Sequence, residues 1–286
     1  MMTRILIVLV ILLAAAGVGI YLAYNPPAGL AALSTSLFEN MTADWVLVGL
    51  AVVGFVAGAA RGLLKKKSTI RDGVVIRHGV GSLIEHWGTG LGIFMAIASG
   101  IILGIGLGFW TIGPFSKTPI AEVHPVNFHY IAVSFILFCA FFFVGAYIFG
   151  RDFKLLIPNG QDVTKGFIGK YMLRRAWTKE EKYLSSQKAA FVPYILIGLV
   201  ILITGAVKVA SHMYPIKAKI DGWSTVLHDY FAVFIILFTI VHMGIIVMLG
   251  HWPAFWSWFT GTMKTHEVEH EHPVWYEELQ TGRNKS

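Results

Sequence analysis

An all-α integral membrane protein, folded as a helical bundle, is what this sequence predicts, and three observations predict it. Charged residues make up only 14% of the 286-residue chain, where a soluble domain carries about 25%; mean hydropathy is correspondingly positive, +0.66. Apolar runs of about twenty residues recur along the chain, the length an α-helix needs to cross a hydrocarbon core of roughly 30 Å. Basic residues crowd between alternate runs instead of spreading evenly.

The runs are six. The first, Ile5 to Tyr24, follows Arg4 and contains small residues at Ala14 to Ala16, as a secretory leader would. Its apolar stretch is longer than a leader's core of about 7–15 residues, so a retained anchor is expected. The others are Trp45 to Leu64, His86 to Gly108, His129 to Phe149, Ala189 to Ala210 and Leu227 to Leu249.

Charge sets the expected orientation. Arg61, Lys65, Lys66, Lys67, Arg71 and Arg77 lie between runs two and three. Arg151, Lys154, Lys165, Lys170, Arg174, Arg175, Lys179, Lys182 and Lys188 lie between runs four and five. Lys/Arg-rich loops stay in the cytoplasm, which places both loops and both termini inside and gives a multi-pass protein of the cell inner (cytoplasmic) membrane. The loops Asn25 to Asp44, Pro114 to Phe128 and Tyr214 to Ser224 should face outward. The net charge of +7 would suit nucleic acid in a soluble chain; here it follows the positive-inside pattern, and no nucleic-acid partner is expected. Cys139 is the only cysteine, so an internal disulfide, a thiolate-held cluster and a c-type haem attachment are all excluded.

Ionisable side chains inside a membrane are costly and default to function. His228 and His242 are fourteen residues apart on one run, about 21 Å and close to four helical turns, so they share a face. With the charge-derived orientation, His129 matches His228 in depth near the outer side, and His86 matches His242 near the inner side. Two axial imidazoles per haem iron would use all four. A zinc site needs more ligands than two histidines at each level supply. His124, five residues before His129, competes for the outer position, and His212 is a second competitor. His78 lies in the basic loop, His251 just after run six, and His266, His270 and His272 in a polar tail expected to be solvated.

From His86 onward the chain resembles the cytochrome b (gamma) subunit of membrane-bound formate dehydrogenases. The matching pieces are His86-Trp87 followed by Ala98-Ser99-Gly100, His124-Pro125, Lys182-Tyr183 with Gln187-Lys188, Thr204-Gly205, the pair His228 and His242, and His272-Pro273 with Trp275-Tyr276. The resemblance implies a four-helix core over residues 81–260 holding two haems b. An N-terminal extension, residues 1–80, adds two further spans, and residues 261–286 form a cytoplasmic tail.

It further implies electron transfer between an iron–sulfur subunit on the outer face and a membrane quinone, menaquinone or ubiquinone, with substrate oxidation on a separate molybdenum or tungsten subunit. Carried over by position, His86 and His242 match the inner-haem ligands and His228 one outer ligand; the His-Pro dipeptide points to His124 for the other, whereas depth points to His129. Ser186 and Gln187 match positions near the quinone. Leu184 stands where the family usually has asparagine, removing a possible donor to a quinone carbonyl.

The same core serves cytochrome b subunits of hydrogenases and other molybdoenzymes. A histidine-based transporter is the reading from another class, but a mid-span acidic residue and Gly/Pro-broken segment pairs, which transporters often show, are missing from the runs.

Overall fold

The computed structural model describes residues 41–64, 67–104, 125–151 and 153–282. Among them, five helices are long and apolar enough to cross a membrane. In chain order the helices are α1 (Met41–Leu63), α2 (Val80–Gly104), α3 (Pro125–Phe149), the short α4 (Phe153–Leu156), a π-helix (Asp162–Met172), α5 (Ser185–Met213), α6 (Ala218–Met248), α7 (Trp252–Thr260), α8 (Thr265–Glu271) and α9 (Pro273–Gln280). The spans α1, α2, α3, α5 and α6 answer to runs two to six, giving the all-α membrane bundle the sequence predicts. Run one, Ile5 to Tyr24, and His124 lie outside the described residues.

All five described spans begin earlier than their apolar runs, most of all α2 at Val80 and α6 at Ala218. Hydropathy registers only the part of a helix that meets hydrocarbon, whereas backbone hydrogen bonding continues past it. His86 and His228 therefore sit inside helices and not at their first turns.

Glycine decides how α1 docks. Gly54, Gly58 and Gly62 recur every fourth residue and form one stripe. A β-carbon at Gly54 or Gly58 would collide with the carbonyl oxygens of Phe138 and Phe142 on α3, and one at Gly62 with the backbone around Ala146 and Gly150. Gly145 answers from α3, against the backbone of Phe55 and Ala59. Small residues let membrane helices approach this closely. At one end the Tyr130 hydroxyl donates to buried Asp44 at 2.6 Å. At the other, Arg61 donates to Ser82 at 2.5 Å and lies over the Phe142 ring.

α1 and α2 both pack on α3, α5 packs on α6, and the two groups touch along α2 and α6. The basic end of the bundle carries a small cap. Asp72 and Gly73 both take positive φ, 50° and 76°, the two-residue turn that closes a tight hairpin between β1 (Ile70–Arg71) and β2 (Val74–Ile76). β3 (Thr262–Lys264) extends this hairpin antiparallel, with Val75 opposite Met263. Val75, Met263, Val268 and Trp275 form its buried core.

The segment before α5 is held by buried charge pairs. Lys188 bridges Asp162 at 3.1 Å and Glu181 at 2.7 Å. The Glu180 carboxylate accepts the Ser185 N–H at 2.7 Å, which satisfies an orphan donor at the positive end of α5. The tail is stitched onto the same segment: Val274 N–H donates to the Glu180 carbonyl and His272 Nδ1 to that of Glu181, at 3.2 and 2.6 Å.

Candidate haem-ligand histidines

His129 on α3 and His228 on α6 face each other, their ring centroids 6.4 Å apart and their planes at 68°. With metal–nitrogen bonds of about 2 Å, and imidazole nitrogens about 1.1 Å from the ring centre, two imidazoles that share one metal stand roughly 6.2 Å apart, centroid to centroid. The spacing fits shared axial ligation.

The hydrogen bonds occupy Nδ1 of each ring and leave Nε2 as the nitrogen that would bind. Ser99 on α2 donates its hydroxyl proton to the Met95 carbonyl at 2.7 Å, which leaves its oxygen free to accept from His129 Nδ1, 2.9 Å away. Thr204 on α5 repeats the arrangement: it donates to the Val200 carbonyl at 2.7 Å and accepts from His228 Nδ1 at 3.0 Å. A hydroxyl has one proton to give; with it on the carbonyl, each ring is the donor through Nδ1 and keeps the Nε2 lone pair for a metal. Glycine follows each hydroxyl residue. A β-carbon at Gly100 would lie 3.8 Å from His129 Cε1, and one at Gly205 3.4 Å from His228 Cε1. The Ser-Gly and Thr-Gly pairs thus hold the rings and leave their edges clear, a role that the motif pieces Ala98-Ser99-Gly100 and Thr204-Gly205 did not reveal by themselves.

The second pair is arranged differently. His86 on α2 and His242 on α6 are close enough to interact electrostatically. The His86 ring stacks on Trp258 of α7 at 4.0 Å, and His242 lies parallel to Phe238 one turn earlier. Trp258 is sandwiched, with His78 on its other face at 3.8 Å, and its carbonyl accepts the Trp87 indole N–H at 2.9 Å. The aromatic helix α7 suits an interfacial position, and hydropathy did not single it out because it is too short to span.

Ser186 and Gln187 lie in the first turn of α5. Ser186 is buried. The Gln187 side-chain oxygen accepts from Leu184 N–H at 3.2 Å and Arg77 at 3.4 Å, leaving its amide N–H groups as the donors it can offer. The remaining histidines separate by burial. His212, His266 and His270 are exposed. His272, expected to be solvated, is fully buried beneath the tail, because its Nδ1 and the neighbouring Trp275 pack onto residues 180–182. Burial, with Arg77 beside it, holds the His272 imidazole well below the usual histidine range. His78 is held low in the same way, and burial brings the Arg77 guanidinium down to about 10.

The model of the prokaryotic cytochrome b561 family matches residues 77–261, and members of that family bind haem b, generally two. No curated protein and no solved structure matches. The family match spans all four candidate histidines and both hydroxyl partners, and the membrane helices that carry them are in place: the chain belongs to the prokaryotic cytochrome b561 family of membrane cytochromes b.

Proposed function

We infer that this chain is the di-haem, quinone-reactive subunit of a respiratory formate dehydrogenase-type complex. Haem iron, when bound, supplies one-electron exchange at a potential set by its ligands and surroundings. His129 and His228 would hold the outer haem, His86 and His242 the inner one. Ser186 and Gln187 would meet menaquinone or ubiquinone near the inner haem, at the basic end of the bundle. An iron–sulfur subunit would dock at the opposite, outer face, with substrate oxidation on a molybdenum or tungsten subunit. The positive-inside pattern supports placing the basic end in the cytoplasm and the protein in the inner membrane.

The observation that carries this reading is the His129–His228 pair: metal-ligand spacing, with both Nδ1 atoms committed to hydroxyls. The test is a pyridine haemochrome assay on the purified chain, which should return about two haems b per polypeptide; a chain without haem overturns it. The family match is to the prokaryotic cytochrome b561 model as a whole, which equally favours service to a hydrogenase or another molybdoenzyme. Metal analysis and a formate-oxidation assay of the complex that co-purifies with a tagged chain separate these: molybdenum or tungsten with formate oxidation supports the first reading, nickel points to a hydrogenase, and molybdenum without formate oxidation to another molybdoenzyme.

A further inference from the structure

The two histidine pairs differ in a property that bound iron would feel. Each ring of the His129–His228 pair donates its Nδ1 proton to a hydroxyl on a neighbouring helix, Ser99 at 2.9 Å and Thr204 at 3.0 Å. Both hydroxyl residues are buried, Ser99 at 1% and Thr204 at 5% exposure, so water does not compete for them. Both can place their own proton on a backbone carbonyl one turn earlier, at 2.7 Å in each case, and a neutral imidazole bound through Nε2 carries its proton on Nδ1, so the ring is the donor to the hydroxyl. Among the described residues, the rings of His86 and His242 have no hydrogen-bond partner and pack instead on Trp258 and Phe238.

We propose that Ser99 and Thr204 are positioning residues that hold the outer imidazoles by Nδ1 and make them stronger electron donors than the inner pair, giving the outer haem the lower potential. This rests on the reading of the four histidines as haem ligands. A hydrogen bond from Nδ1–H leaves electron density in the ring and raises the basicity of Nε2. A more basic axial ligand stabilises the ferric over the ferrous state, which lowers the potential. The inner imidazoles lack this push, so the electron is better held at the inner level. With haem bound at both levels, this difference in ligand strength would set a slope that falls, for an electron, toward the basic end, with no proton exchanged by the four imidazoles. The same hydroxyl–glycine device serves both outer histidines from two different helices, so both imidazoles that would hold the outer haem carry the effect.

The test is a redox titration of the two b haems in the full-length, haem-loaded protein, with low-temperature electron paramagnetic resonance of the ferric state. Ser99→Ala and Thr204→Val should each raise the outer midpoint and leave the inner one in place. The ferric fraction of the outer haem at a fixed ambient potential should fall several-fold; a tenfold change in that ratio is 59 mV for one electron. The outer low-spin signal should shift as its ring loses its anchor. Thr204→Ser, which keeps the hydroxyl, should restore both readouts. Thr204→Val preserves side-chain volume, so it carries the test if Ser99→Ala fails to load. Loss of the outer haem alone from both variants, recovered in Thr204→Ser, also supports the positioning role. An unchanged outer midpoint in a loaded variant, or a wild-type outer haem of higher potential than the inner, overturns the proposal. A wild-type chain that lacks two haems, or that keeps its outer haem after His129→Ala, overturns the ligand reading instead.

Discussion

The Tyr130 hydroxyl donates a 2.6 Å hydrogen bond to the buried carboxylate of Asp44, and so ties the N-terminal extension to the residue next to His129. Tyr130→Phe would leave that carboxylate buried without its donor, a loss of about 1.5–3 kcal/mol for a hydrogen bond to a charged group. The variant should unfold at lower temperature in detergent by circular dichroism. Asp44→Asn, which still accepts, should lose less; equal loss would show that the pair is not what holds α1 there.

The glycine stripe makes a sharper claim about α1. Gly58→Leu forces a side chain into the backbone of Phe142 and should cost about 1–3 kcal/mol or more by overpacking. Gly49→Leu, at a position with open space around its β-carbon, should be neutral. Cysteine crosslinking of α1 to α3 should fall in the first variant and persist in the second.

Ligand assignment separates by variant. His242→Ala should remove the inner haem and quinone reactivity while the outer haem remains, read from the reduced b-type spectrum. His129→Ala should remove the outer haem, and His124→Ala should not. Retention of the outer haem in His129→Ala would transfer that role to His124.

The cap should loosen in acid. Burial holds His272 and His78 neutral, well below the usual histidine range, whereas in the unfolded chain they titrate near 6.5. Their depressed values mean that the unfolded state binds protons first as pH falls. Stability is therefore full above about pH 6.5 and declines below it, by up to about 1.4 kcal/mol per pH unit for each group. Limited proteolysis of the C-terminal tail should accelerate below pH 6, and His272→Asn, which can keep the bond to the Glu181 carbonyl, should flatten that dependence.

Run length and charge suffice for the bundle, because lipid demands about twenty apolar residues per span whatever their detail. The depth pairing of His129 with His228 was legible from spacing and charge, since helical rise converts residue number into depth. Ser99 and Thr204 were not: their roles depend on which helix faces which, and rotation about a helix axis leaves no mark in hydropathy. The cap was hidden for another reason. Its Asp72-Gly73 turn is a hairpin signal, but strands of two or three residues are too short to show alternation, and β3 arrives from nearly two hundred residues further on. The burial of His272 follows from that long-range closure, so a polar tail composition could not announce it.

Because His228 and His242 ride on one continuous helix, their separation behaves as a rigid ruler. Bilayer thinning, tilt of the bundle or sliding of α3 against α2 would move the candidate partner histidines, His129 and His86, relative to each other. The spacing along α6 would stay set by helical rise. Electron tunnelling decays steeply with distance, so the step between the two levels would be insulated from changes in the surrounding lipid, and the cost of such changes would fall on ligand geometry at each iron.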